Sequence, residues 1–217
     1  MLLKPQETLL FTGDSVTDCG RNRPVGSGYA GGLGTAYPAY VCASLSLDYP
    51  DQDFNILNTA ISGDTTRRLL DRWDSDVLAY QPEVLSILIG INDVWRQFDG
   101  PGNPKEFILP GEFEANYQEL LRLSRPVCRR ILLLTPFFME LHSSDPMRAM
   151  VDQYADIVRR LAAENDQYLL VDTQKAFDLL LQKRHYMTLA SDRVHPNATG
   201  HLLIARCVQH ALETAEA

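Results

Sequence analysis

The sequence has few cysteines, and none of them is arranged as a pair. Four occur among 217 residues, at Cys19, Cys42, Cys128 and Cys207, and no C-x-x-C motif is present. A chain of this length can bury a sizeable core without cross-links. We therefore expect reduced thiols and a cytoplasmic location.

Long apolar runs and basic clusters are also missing. No run approaches the length of a membrane span, and the N-terminal stretch MLLKPQETLLFTGDS lacks the pattern of a signal peptide. The formal net charge of −8 disfavours nucleic acid and anionic membranes as partners, because phosphate binding needs clustered Lys and Arg. With 45% hydrophobic and 22% charged residues, the composition is typical of a soluble globular protein.

Motifs of three other enzyme classes are incomplete. GSGYAG at 26–31 fits G-x-G-x-x-G, but the first predicted strand ends at Gly13 and Pro38 is expected to interrupt the following helix, so we expect no dinucleotide site. GDSVTD and GIND are similar to metallophosphatase sequences, yet no early D-x-H or histidine cluster accompanies them. We therefore predict neither a metal nor another cofactor. Thr17 replaces the last glycine of G-x-S-x-G, which disfavours the usual α/β-hydrolase fold.

The chain alternates between apolar runs and amphipathic segments. Five continuous apolar runs are typical of parallel strands that are covered on both faces: 8–13, 54–61, 84–90, 130–135 and 168–172. The spacing of apolar residues predicts helices over 64–81, 111–127 and 147–165, and a last helix from 197 or 198 to 214. Two segments are predicted as loops, 20–34 and 98–111. This pattern indicates a single α/β domain, residues 1–217, with helices on both faces of a parallel sheet.

Polar residues follow the ends of several predicted strands. Ligands of open parallel sheets bind at the carboxyl ends of the strands, so these residues are candidates for a site. They are Asp14, Ser15, Gly63, Asn92 and Asp93, together with Asp192 and His195 just before the last helix. The fourth strand ends in TPFF, which offers little chemistry.

Together these residues supply the parts needed for acyl transfer, although each alone could cap a helix or form a turn. The Ser15 hydroxyl is a weak nucleophile that needs a base, and His195 can be that base. Asp192 is close enough in sequence to orient the imidazole. A tetrahedral intermediate needs donors for its oxyanion, and the candidates are the N–H groups of Ser15 and Gly63 and the side-chain amide of Asn92.

Other polar residues have weaker assignments. Asp64 can cap the helix after Gly63, and Asp93 is expected to be structural, as a cap of the segment that follows it. Asp14 and Trp95 are further candidates for contacts with the substrate. An edge tryptophan that packs on a helix is an equally good interpretation of Trp95.

Four blocks resemble those of the SGNH, or GDSL-type, hydrolases. They are GDS at 13–15, Gly63, GIND at 90–93 and DRVH at 192–195, in the family's order and across most of the chain. The resemblance implies Ser15 as nucleophile, Gly63 and Asn92 as oxyanion donors, and Asp192 with His195 as the rest of a triad. It also implies a three-layer α/β/α, flavodoxin-like fold with a central parallel five-stranded sheet.

Longer strings narrow the resemblance to intracellular bacterial acetylxylan and acetyl-xylooligosaccharide esterases. These strings are LLFTGDSVTDCGR, GLGTAYPAYV, IGINDVWRQ, DPMRAMVDQYADIV and DRVHPNATGH. The resemblance implies removal of small acyl groups, mainly acetyl, from sugars, without a cofactor, and we also expect a homo-oligomer. Ser191 is a departure, since an aromatic residue is expected there, and this affects pocket shape and subunit packing. The alternatives are a lysophospholipase or thioesterase on the same fold and a non-catalytic carbohydrate-binding protein.

Overall fold

A mixed β-sheet lies at the centre of the computed structural model, which describes residues 1–100 and 102–214 except for the side chain of Ala30. Within these residues its strands are β1 (Thr8–Gly13), β2 (Gly26–Ser27), β3 (Asn55–Asn58), β4 (Val84–Leu88), β5 (Arg130–Leu134) and β6 (Tyr168–Val171). The strand order is β2–β3–β1–β4–β5–β6. All neighbours pair in parallel except β2 and β3.

The structure confirms the predicted α/β class, but the sheet has six strands where five were predicted. Each apolar run contains a strand, but a sixth strand, β2, lies in the segment 20–34 that was predicted as a loop. This strand is only two residues long and runs antiparallel to β3, with Gly26 opposite Asn58. Two residues are too few to show a periodic pattern, so this strand could not be predicted from sequence.

Nine α-helical segments occur in the described part of the chain. They are α1 (Ser15–Asp18), α2 (Tyr37–Asp48), α3 (Thr66–Asp71), α4 (Trp73–Asp76), α5 (Ile91–Trp95), α6 (Pro110–Ser124), α7 (Pro146–Ala162), α8 (Thr173–Leu181) and α9 (Ala198–Thr214). The predictions for α6, α7 and α9 are confirmed, whereas the segment 64–81 divides into α3 and α4 at Arg72. None of these helices is both long and apolar enough to cross a membrane.

Pro38 does not interrupt a helix, contrary to the expectation from sequence. It lies in the first turn of α2, where a proline is tolerated because the N–H it lacks would have no partner within the helix. The motif at 26–31 forms β2 and a short 3₁₀ turn. It therefore does not join a parallel strand to a helix.

Two apolar clusters, one on each face of the sheet, form the core. Along β4, the side chains of Leu85 and Ile87 belong to one cluster, and those of Val84 and Leu88 belong to the other. The first cluster includes residues of α6 and α7, and the second includes residues of α2, α8 and α9. The three-layer arrangement thus explains why the strands read as continuous apolar runs.

The last residue of β1 has to be a glycine. Gly13 has φ +148°, and a Cβ built on it would lie 2.0 Å from the carbonyl oxygen of Leu88 on β4. The two central strands therefore approach each other at the point where the chain leaves the sheet for Ser15.

We predict that Gly13→Ala destabilises the protein by about 2–4 kcal/mol or prevents folding, through the combined effect of backbone strain and overpacking. Chemical unfolding by urea measures the change. Gly111→Ala is the matched control, because Gly111 lies in the first turn of α6 and a Cβ there meets no atom within 4 Å. Similar stabilities for the two variants would contradict the close approach at Gly13.

Candidate active site

Ser15 stands at the carboxyl end of β1 as the first residue of α1. Asp14 precedes it as the N-cap, and the Asp14 side chain accepts a hydrogen bond from the Val16 N–H at 3.0 Å. The Ser15 Oγ lies 2.8 Å from Nε2 of His195. This distance allows direct transfer of the hydroxyl proton to the imidazole.

The other ring nitrogen of His195 meets a carboxylate. Nδ1 lies 2.6 Å from Oδ2 of Asp192, and Oδ1 of the same carboxylate accepts from the backbone N–H groups of Val194 and His195. Burial acts to raise the pKa of Asp192, but the hydrogen bonds from His195 and Val194 outweigh it and lower the pKa. The carboxylate is therefore held ionised and oriented toward the imidazole.

The segment after β5 supports this loop. The Met139 N–H donates to the carbonyl of Arg193 at 2.9 Å, and Arg193 adopts φ +65°. The Arg193 guanidinium pairs with Glu140 at 2.9 Å and lies 4.5 Å from the ring centroid of Tyr186. The end of the fourth predicted strand, which seemed to offer little chemistry, thus fixes the backbone between Asp192 and His195.

Three candidate oxyanion donors follow the three adjacent strands β3, β1 and β4. Within the described residues, neither the Ser15 N–H nor the Gly63 N–H has an acceptor. Gly63 adopts φ +85° beside open space. The Asn92 side chain is 2% exposed, donates from Nδ2 to the carbonyl of Asp64 at 2.9 Å, and accepts at Oδ1 from Arg96 at 3.3 Å. These contacts fix the amide and leave one of its two N–H bonds available.

Asp93 and Asp64 have structural roles that differ from those expected. Asp93 accepts from the N–H and hydroxyl of Thr66, at 3.1 and 2.5 Å, so it binds the first residue of α3 and does not cap the segment that follows it. Asp64 does not cap that helix, because Thr65 is the N-cap. The Asp64 carboxylate instead pairs with Arg72 at 2.7 Å.

Two residues that the sequence analysis did not single out connect the site. Arg72 donates to the carbonyls of Gly13 and Thr59, at 3.3 and 2.8 Å, besides its ion pair with Asp64. Asp18 accepts from the N–H and hydroxyl of Ser62, at 2.9 and 2.8 Å. Asp18 ends the string GDSVTD, which was the one available signal, whereas no local pattern marks Arg72.

Asp14, a candidate for substrate contact, lies buried beneath the turn that carries Ser15. It is 1% exposed, and its Oδ2 has no hydrogen-bond partner among the described residues. Burial, together with the nearby carboxylates of Asp93 and Asp64, raises the pKa of Asp14 to about 7, despite the hydrogen bond from Val16. Its contact with Val16 indicates that it shapes the turn that carries Ser15.

Trp95 lies beside the triad. Its ring centroid is 5.6 Å from that of His195, and the Arg96 guanidinium lies 5.3 Å from the centroid of the Trp95 ring. The indole is half-buried and also packs against the core, so both interpretations of this residue describe part of its surroundings. Ser191, next to Asp192, is exposed.

No group of three or more His, Cys, Asp or Glu side chains is arranged to hold a metal ion in residues 1–100 and 102–214.

We predict that Asp14→Asn changes how stability depends on pH. The native carboxyl keeps its proton up to about pH 7, while the unfolded chain loses it near 3.8. The unfolded state therefore binds fewer protons in this window, and the wild-type free energy of unfolding falls as pH rises. The Asn variant lacks this loss. At about 1.4 kcal/mol per pKa unit, its free energy of unfolding should therefore rise relative to that of the wild type by up to roughly 4 kcal/mol between pH 4 and pH 8.

Urea unfolding of both proteins at several pH values measures this difference. Other carboxyl groups are common to both proteins and largely cancel. A stability difference that is the same at every pH would show that Asp14 keeps an ordinary pKa.

Comparison with known proteins agrees with the fold and the four blocks. Residues 11–203 match the model of the GDSL-like Lipase/Acylhydrolase family. An acetylxylan esterase from Geobacillus stearothermophilus is 46% identical over 200 residues, which cover 92% of this chain and 91% of the esterase. The crystal structure of Axe2, an acetylxylan esterase from that organism, has a TM-score of 0.95 and 44% identity, with 98% of this chain and 96% of that chain covered.

Other solved hydrolases are also similar to this chain in fold and sequence. An alpha/beta hydrolase enzyme from the metagenome of Lake Arreo, Spain, has a TM-score of 0.94 and 39% identity, with both chains fully covered (100% each). Three further similar structures are catalytic mutants of Axe2, in which a serine, a histidine or an aspartate is replaced by alanine. The chain therefore belongs to the GDSL-like lipase/acylhydrolase family, which confirms the expected fold class and the expected carboxylic ester hydrolase.

Proposed function

We propose that the protein is a serine esterase that removes acetyl groups from acetylated xylo-oligosaccharides through an acyl-enzyme. The hydrogen-bonded chain from Ser15 through His195 to Asp192 carries this proposal. The acetyl group and the sugar are supported by the 46% identity to an acetylxylan esterase. Assembly as a homo-oligomer and a cytoplasmic location stay predictions.

In the acylation step, Nε2 of His195 takes the Ser15 proton while Oγ attacks the acetyl carbonyl carbon. The imidazolium that forms is stabilised by the Asp192 carboxylate at Nδ1. The negative charge on the carbonyl oxygen is received by the N–H groups of Ser15 and Gly63 and the free N–H of Asn92. Because contacts within the protein already hold these donors, little reorganisation accompanies the reaction.

The intermediate then collapses. The ester C–O bond breaks, and the leaving sugar hydroxyl takes the proton from Nε2 of His195. Water enters, His195 removes one of its protons, and the water oxygen attacks the acetyl-Ser15 ester. Acetate leaves, and the Ser15 oxygen recovers its proton from the imidazolium. Besides the substrate and water, each step uses only groups of this chain.

The surroundings of Gly63 favour a short acyl group over a long one. A cavity of about 260 Å³ borders Gly63, and its lining residues include Arg67, Arg68 and Arg96. A long hydrocarbon chain that entered this cavity would desolvate its charged arginine and acidic side chains, which is unfavourable. This observation weighs against the lysophospholipase and thioesterase alternatives. The half-buried ring of Trp95 beside His195 offers a flat surface for a sugar.

Ser15→Ala tests the proposal directly. We expect turnover of acetylated xylo-oligosaccharides to disappear while the melting temperature stays near that of the wild type, because only the nucleophile is lost. A serine-reactive phosphonate should label Ser15 in the wild type, and a chelator should leave the rate unchanged. Ser46→Ala, at an exposed position on α2, is the control and should remain fully active.

The same assay separates the alternatives. Equal rates on octanoyl and acetyl esters of p-nitrophenol, or faster cleavage of acyl-CoA thioesters, would support a lipase-like or thioesterase function. Binding of acetylated sugars without any hydrolysis would support the non-catalytic carbohydrate-binding protein.

We predict that Asn92→Ala lowers kcat far more than it raises KM. Loss of one oxyanion donor typically reduces the rate by ~10²–10³. Asn92→Asp keeps the shape but loses the N–H, so it should be at least as slow. Steady-state kinetics on one acetyl ester give both constants. A higher KM with unchanged kcat would instead assign Asn92 to ground-state binding.

A further inference from the structure

The arginine-lined cavity beside Gly63 is next to the proposed oxyanion site, yet the mechanism uses no charged group in its walls. Arg67, Arg68 and Arg96 are three of its lining residues. The chain as a whole has a formal net charge of −8. Three arginines around one cavity are therefore a local concentration of positive charge in an acidic protein. Their local surroundings show which of them is available to a ligand.

Two of the three arginines are already paired. Arg67 forms a two-point contact with Glu112, with N–O distances of 2.8 and 3.0 Å. Arg96 pairs with Asp99 and donates to Oδ1 of Asn92. These guanidinium groups are therefore held in place by the protein.

Arg68 differs from both neighbours. Its side chain is exposed and forms no hydrogen bond or ion pair with any residue in the described ranges. Burial raises the pKa of the Asp64 carboxylate, and the charge of Arg68 acts against this rise. Arg68 is thus a cation at the edge of the cavity, with the fork of donors that matches a carboxylate.

We propose that Arg68 binds the carboxylate of a uronic acid residue carried by the acetylated oligosaccharide. This inference rests on the proposed function and specifies the substrate class further. A guanidinium can bind a carboxylate through two parallel, charge-assisted hydrogen bonds. Because Gly63 and Arg68 line the same cavity, we place the acidic sugar on the same oligosaccharide as the ester under attack.

Acidic residues of the cavity limit the strength of this contact. The Asp99 carboxylate is engaged by Arg96. Glu106 also lines the cavity, and its carboxylate accepts a hydrogen bond from Asn103 at 3.3 Å. The charge of Glu106 opposes an anionic ligand, so its removal should strengthen the preference that Arg68 provides.

The test compares two acetylated xylo-oligosaccharides that differ only in one uronic acid substituent. At low ionic strength we expect a wild-type kcat/KM about fivefold higher for the acidic substrate, the effect of one exposed charge pair. High salt should weaken the preference. Arg68→Gln should lose most of the preference, because its kcat/KM falls for the acidic substrate and changes much less for the neutral one. Glu106→Gln should increase the preference.

Arg122→Gln is the matched control. It changes the net charge by the same amount, and Arg122 lies in the last turn of α6, at the opposite end of that helix from Glu112. Its substrate preference should equal that of the wild type. If Arg122→Gln and Arg68→Gln changed the preference equally, the preference would depend on the net charge of the protein and not on Arg68, and the inference would be overturned.

Other outcomes separate this inference from the proposed function. If the wild type cleaves both sugars equally well, or Arg68→Gln slows both alike, the uronic acid site is wrong while the esterase function stands. If neither sugar is cleaved although p-nitrophenyl acetate is, the proposed sugar specificity fails, and this inference fails with it.

Discussion

The parallel pairing of three neighbouring strands, β3, β1 and β4, is the constraint on which the site depends. The register places Gly13 opposite Leu88, so β1 and β4 end at the same level. Ser15 follows the end of β1, Gly63 follows β3, and Asn92 follows β4. The proposed nucleophile and the proposed oxyanion donors are therefore spaced mainly by main-chain hydrogen bonds of the sheet. A rigid element holds a catalytic geometry more closely than a loop does.

The other half of the site has a different physical character. His195 and Asp192 have side chains that are 40% and 35% exposed, and they come from a loop before α9 that is held by the backbone of Met139. Of the proposed oxyanion donors, Asn92 is buried while Ser15 and Gly63 are half-buried, and the proposed proton carrier, His195, lies at the solvent boundary. This division suits ester hydrolysis, because both the leaving alcohol and the incoming water have to reach the imidazole.

The sequence was sufficient to predict an element where its residue pattern has a single physical explanation. Continuous apolar runs predicted five strands, because both faces of the sheet are covered, and the start of α9 fell within the predicted 197–198. Pro38 was misread because the same residue starts a helix or breaks one according to where the helix begins. The contacts of Arg72 join the positions 13, 59 and 64, and no local spacing encodes such contacts. Asp14 could not be recognised as buried, since capping residues and substrate ligands are both polar residues at a strand end.

Carboxylates near the proposed oxyanion donors are unfavourable as charges, since a negative charge opposes the one that develops in the reaction. The hydrogen bonds explain their presence. Asp14 accepts from the N–H after that of Ser15, and Asp18 accepts from the N–H before that of Gly63. Asp93 in turn fixes the N–H of Thr66. Asp14 and Asp18 thus engage the peptides next to Ser15 and Gly63, whose own N–H groups have no acceptor among the described residues. Burial raises the pKa of Asp14 to about 7 and that of Asp93 to about 6, which reduces the negative charge that the oxyanion would meet.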